Sequence, residues 1–97
     1  MAPDGAEPDV SLAALLDDYA ALCRLSLETE AERVPDQNDF MASRSLTGIA
    51  VPFTVRRVRY DSEEAVRAAQ AAAKAKDCRL VCRSMQGGTD CFWVCPK

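Results

Sequence analysis

The sequence predicts an α+β domain: an N-terminal helix, then a β-α-β-β unit whose three-stranded mixed sheet has helices packed on one face. Three observations carry this. Leu12, Leu15, Leu16, Tyr19, Leu22, Cys23 and Leu27 recur at spacings of three and four, which makes one apolar stripe on a helix. Residues 49–60 are β-branched and aromatic, as strands are. The alanine-rich run AVRAAQAAAKA separates them from two further extended stretches around Gly87-Gly88. The chain is 48% apolar and 28% charged, values that suit a packed core and not a disordered polymer.

Each element has a local cause. Residues 1–9, rich in Pro, Gly and acid, read as a disordered tail, leaving residues 10–97 as one domain. Asp9 or Ser11 caps the first helix, and Pro35 stops it by Val34. Its stripe covers the sheet, or pairs with a second copy through Leu12, Leu15, Leu16, Tyr19 and Leu22; two heptads are short for a coiled coil. Residues 40–46 form a short helix capped by Asn38 or Asp39 and broken by Gly48. In the first strand Pro52 belongs at the start or on an edge. Phe53 and Val55 share one face, whereas Val58 and Tyr60 share the other, so a bulge is expected at Arg56-Arg57. Asp61 or Ser62 caps the next helix, with Glu63 and Glu64 at its positive end and Lys74 and Lys76 at its negative end. Residues 78–85 and 91–95 complete a hairpin. A right-handed crossover places the first strand parallel to the second, with the third antiparallel beside the second.

The hairpin holds four of the five cysteines, Cys78, Cys82, Cys91 and Cys95. Positions i and i+4 of a strand share a face. If Gln86-Gly87 alone forms the turn, Cys82 lies opposite Cys91 and Cys78 opposite Cys95. The alternatives are a Cys₄ zinc site, cross-strand disulfides, a redox centre and plain packing. One zinc ion cannot span ligands about 13 Å apart along a strand. The N-terminal stretch MAPDGAEPDV is acidic, not a basic-then-apolar leader. No signal peptide is therefore expected, and an intracellular setting, cytoplasm or nucleus, follows. Thiols are reduced there, and the odd cysteine count also speaks against a disulfide framework. The expectation is that these cysteines, Leu80 and Trp93 pack on the alanine side of the second long helix, with no metal or other cofactor. No apolar run approaches the roughly 20 residues of a membrane span.

The opposite sheet face then carries Arg79, Val81, Arg83, Met85, Phe92 and Val94, with Arg59 and Arg56 or Arg57 from the first strand. Arginines interleaved with an aromatic suit a single-stranded nucleic-acid platform. Arg56, Arg57, Arg59, Arg79 and Arg83 are the phosphate candidates and Phe92 the stacking candidate. The same face, or the first helix, also suits a protein partner or a homodimer. Charge bears on the choice. Residues 1–50 hold three arginines against ten carboxylates, and residues 51–97 hold nine cations against five. That asymmetry means either a polyanion surface or internal complementarity.

Tyr60-x-Ser62-Glu63-Glu64-Ala65, the strand ending in Arg83-Ser84 and the apolar strand ending in Cys95 resemble the N-terminal DNA-binding segment of mutator-like transposases and far-red-impaired-response proteins, of the WRKY-like zinc domains. The resemblance spans residues 54–95 and implies DNA binding. In that family the last cysteine binds zinc with a second cysteine and two histidines. This chain has no histidine, so the set is not completed within it. Lack of histidine also removes Ser-His and Cys-His nucleophile pairs, and neither a dinucleotide nor a phosphate-loop motif is present. Glu63-Glu64 and Asp17-Asp18 diverge around their helices. A non-enzymatic binding module is expected.

Overall fold

A computed structural model describes residues 11–29 and 35–97. The tail expected at residues 1–9 and the helix stop expected at Val34 lie outside the described residues. The elements are α1 (Leu12–Glu28), α2 (Gln37–Ser43), β1 (Phe53–Tyr60), α3 (Glu63–Ala75), β2 (Arg79–Met85) and β3 (Gly88–Pro96). Side chains cap all three helices. Ser11 Oγ accepts from the Ala14 amide, Asp36 Oδ1 from Asp39 and Ser62 Oγ from Ala65. The short helix thus starts at Gln37, earlier than expected, because Asp36 takes the capping role from Asn38 or Asp39.

The sheet is antiparallel throughout, in the order β1-β3-β2. This corrects the mixed sheet expected from the sequence. β1 and β2 do run the same way, but β3 folds back between them, so no parallel pair forms. The hairpin turn is Gln86-Gly87, and Met85 faces Gly88. Gly87 has φ +85°, in the left-handed region that glycine adopts without steric cost. Gly88 has no room for a side chain: a Cβ there would lie 2.8 Å from the Tyr60 carbonyl oxygen.

Helices cover both faces of the sheet, not one. Leu15, Leu16, Tyr19, Cys23 and Leu27 of α1, with Phe40 and Met41, pack on Phe53, Val81, Phe92 and Val94. Tyr19, Phe40 and Phe53 form an aromatic cluster with centroids 4.9–6.0 Å apart, and the Tyr19 hydroxyl donates to the Pro35 carbonyl. On the other face Ala69 and Ala73 of α3 pack on Cys78 and Trp93, flanked by Val58, Tyr60, Leu80 and Cys95. The two faces explain β1 without a bulge. Its register with β3 is continuous from Phe53 to Tyr60. Phe53 and Val55 are covered from the α1 side, Val58 and Tyr60 from the α3 side.

α3 hands over to β2 through a complete Schellman motif. The Cys78 amide donates to the Ala73 carbonyl and the Asp77 amide to Lys74, with Asp77 left-handed at φ +60°. This fixes Cys78 as the residue that follows the left-handed Asp77 and leads into β2. Cys78 is bonded to Cys95 and Cys82 to Cys91, with Cα pairs 4.2 and 4.1 Å apart. The two-residue turn sets that register. The expectation of reduced cysteines is therefore corrected, and the same bonds occupy the sulfurs that the zinc alternative required.

Cys23 remains a free thiol, fully buried on the inner face of α1. Burial pushes its pKa from 9.0 up to about 12. Between those values the native state keeps a proton that the unfolded chain has lost, so stability falls as pH rises. The slope is about 1.4 kcal/mol per pH unit from this group. Urea midpoints should be level up to about pH 8 and drop by pH 10, and Cys23→Ala should remove most of that drop.

Candidate protein-interaction groove

Four of the five arginines expected to meet phosphate are hydrogen-bonded within the protein. Arg79 Nε donates to Asp17 of α1, and its Nη1 to the Asp77 carbonyl. The Asp17 hydrogen bond is the main cause that raises the Arg79 pKa. Arg83 Nη1 donates to the Leu27 carbonyl and reaches that of Glu28. A cation on the last carbonyls of a helix satisfies orphan acceptors and opposes the dipole. Positions 79 and 83 are four apart on one strand face, about 13 Å along β2. Asp17 and Leu27 are ten apart, about 15 Å along α1. The two arginines therefore clamp α1 alongside β2 at both ends.

Arg57 pairs with the buried Asp90 at 3.0 Å and stacks 5.5 Å over the Phe92 ring. Arg59 donates to the Gln86 carbonyl. Arg56 points to the other face, 5.7 Å over Trp93. The structure thus brings Arg57, Arg59 and Arg83 to one end of the α1 face and separates them from Arg56. Phe92 is 0% exposed and cannot stack on a base. This is a correction with a clear physical reason: α1 occupies the face on which the platform was expected.

Of the expected interaction helix, Leu15, Leu16 and Tyr19 are core residues. Leu12 and Leu22 are partly exposed, and Leu25, not among the expected residues, is 56% exposed. Ala21 and Leu25 lie on the flank of α1 that overhangs the β2 edge. There the structure has a groove of about 690 Å³ between α1 and α3. Its walls are Ala20, Ala21, Leu25 and Ala73, its base Leu80 and Val81, and its rim includes Asp17, Arg24, Glu28 and Lys74.

The groove runs along the outer edge of β2, whose other edge pairs with β3. Narrow Cα separations at 78/95 and 82/91 mark non-hydrogen-bonded pairs. By alternation, Leu80, Cys82 and Ser84 turn their main-chain N–H and C=O groups away from β3. Such a row is a template for another strand. Among the described residues no group of three or more metal-ligating side chains is assembled, and no described helix is long and apolar enough to cross a membrane.

Comparison with known proteins returns no matching family model, no matching curated protein and no matching solved structure.

Replacing Arg83 tests its structural role. Arg83→Ala should destabilise the fold by about 1.5–3 kcal/mol, the range for a hydrogen bond from a charged group, and fray the end of α1. Arg56→Ala, which breaks only an exposed stacking contact, should cost about 0.5–1 kcal/mol. Chemical denaturation of the two variants measures the difference.

Proposed function

We propose that the domain is a non-enzymatic protein-interaction module that pairs the open edge of β2 with β2 of a second copy. The observation that carries this is the unpaired edge at the base of an apolar groove. Strand addition supplies affinity through main-chain hydrogen bonds and selectivity through the flanking side chains.

The second copy suits the groove for two reasons. An antiparallel pairing about a two-fold axis near Cys82 extends the sheet to six strands and keeps each face on its own side. It also lays α1 antiparallel to its mate. Ala21 allows close approach and Leu25 supplies apolar area. The nucleic-acid reading receives less support, since four of its five arginines have internal hydrogen-bond partners and its aromatic is in the core. The two disulfides favour an oxidising compartment over the cytoplasm or nucleus.

Sedimentation equilibrium from micromolar to millimolar protein is the test. A monomer–dimer equilibrium is expected. Leu25→Lys and Ser84→Pro should each weaken it by about tenfold, the effect of 1.4 kcal/mol, without lowering the unfolding midpoint. Proline at 84 removes only an outward donor. A monomer at every concentration contradicts the proposal. Retention of a single-stranded oligonucleotide that falls steeply with salt would restore the nucleic-acid reading.

A further inference from the structure

The two disulfides share a sheet face but sit in different electrostatic surroundings. Cys95 is half-buried and lines a cavity of about 430 Å³ together with Arg56, Lys76 and Trp93. Neither Arg56 nor Lys76 forms an ion pair among the described residues. Its bonding partner Cys78 is only 7% exposed. At the other bond Cys91 is fully buried. Cys82 lines a smaller cavity, about 340 Å³, beside Glu63 and Arg67, which pair with each other at 3.9 Å and leave no net charge.

We propose that Cys78–Cys95 is a thiol-exchange site for a small anionic thiol, and that Cys82–Cys91 is a structural staple. The two cations concentrate an anionic nucleophile at the cavity. The incoming thiolate attacks Cys95 Sγ, the sulfur on the cavity wall. A bond forms between the thiol sulfur and Cys95, the Cys78–Cys95 bond breaks, and the electron pair leaves on Cys78 Sγ, which takes up a proton. Cys78 Sγ lies 3.9 Å from the Lys76 carbonyl oxygen, which accepts from the new S–H. A second thiolate then attacks the sulfur of the bound thiol, and Cys95 leaves as thiolate and is protonated. Two small thiols are oxidised to one disulfide, and the protein gains two electrons and two protons. This proposal stands independently of self-association.

The test is a charge series on the oxidised full chain: glutathione (anionic), 2-mercaptoethanol (neutral) and cysteamine (cationic). Exchange is quenched by alkylation and each cysteine is mapped by mass spectrometry. The ratio of the two opening rates within one thiol cancels that thiol's own reactivity. The ratio of Cys78–Cys95 to Cys82–Cys91 opening should be largest for glutathione and fall by about tenfold to cysteamine. The mixed disulfide should sit on Cys95. Combining Arg56→Glu with Lys76→Glu, both exposed positions, should reverse the order of the three thiols. If that variant does not fold, the wild-type series decides alone. Equal ratios for the three thiols, Cys82–Cys91 opening first with glutathione, or a mixed disulfide on Cys78 overturns the proposal.

Discussion

β3 is buried on both faces, and the rest of the fold follows from that constraint. Asp90, Cys91, Phe92, Trp93 and Val94 are all buried in succession. Alternate residues point to opposite faces, so Phe92 and Val94 need one covering layer and Cys91 and Trp93 another. α1 supplies the first and α3 the second. β3 is also the middle strand, which leaves β1 and β2 as the two edges. The groove, the clamped helix and the positions of the sheet arginines Arg56, Arg57, Arg59, Arg79 and Arg83 descend from this arrangement.

The ion pairs use the charge asymmetry of the chain at one point, where Asp17 of the acidic half meets Arg79 of the basic half; Asp18 pairs with Arg44 inside the acidic half. Arg83 serves α1 through helix carbonyls. Exposed ion pairs contribute little individually, about 0–1 kcal/mol. The Arg83 contact is half-buried and satisfies orphan acceptors, so it weighs more. These contacts orient α1 against β2, while its apolar face provides the greater part of the docking energy.

Much of the local structure was legible because it has local causes. The α1 stripe, the Ser62 cap, the alanine helix and the hairpin all follow from spacing and capping chemistry. Even the facing of Cys82 with Cys91 and Cys78 with Cys95 follows once Gln86-Gly87 is the turn. The layer arrangement was harder to read. Cys91-Phe92-Trp93-Val94-Cys95 is an unbroken apolar run, the pattern of a strand covered on both sides. Reading it as alternating left Phe92 on an open face and made structural arginines look like ligands. The offset in β1, Phe53 and Val55 against Val58 and Tyr60, carried the same message, since each half of that strand is covered from a different side. The hairpin geometry allows the disulfides, whereas the acidic N-terminal stretch and the odd cysteine count point to reduced thiols. Arg56 beside Cys95 depends on the register of β1 against β3, which no local pattern specifies.

The open edge of β2 is the central functional claim, and amide hydrogen exchange reads it residue by residue. In dilute protein the Leu80, Cys82 and Ser84 amides should exchange rapidly, while Arg79, Val81 and Arg83, bonded to β3, are protected. Raising the concentration should slow the first set and leave the second unchanged, because only the outward amides gain partners. Outward amides that stay fast at every concentration, or that are already protected in the dilute monomer, contradict the account.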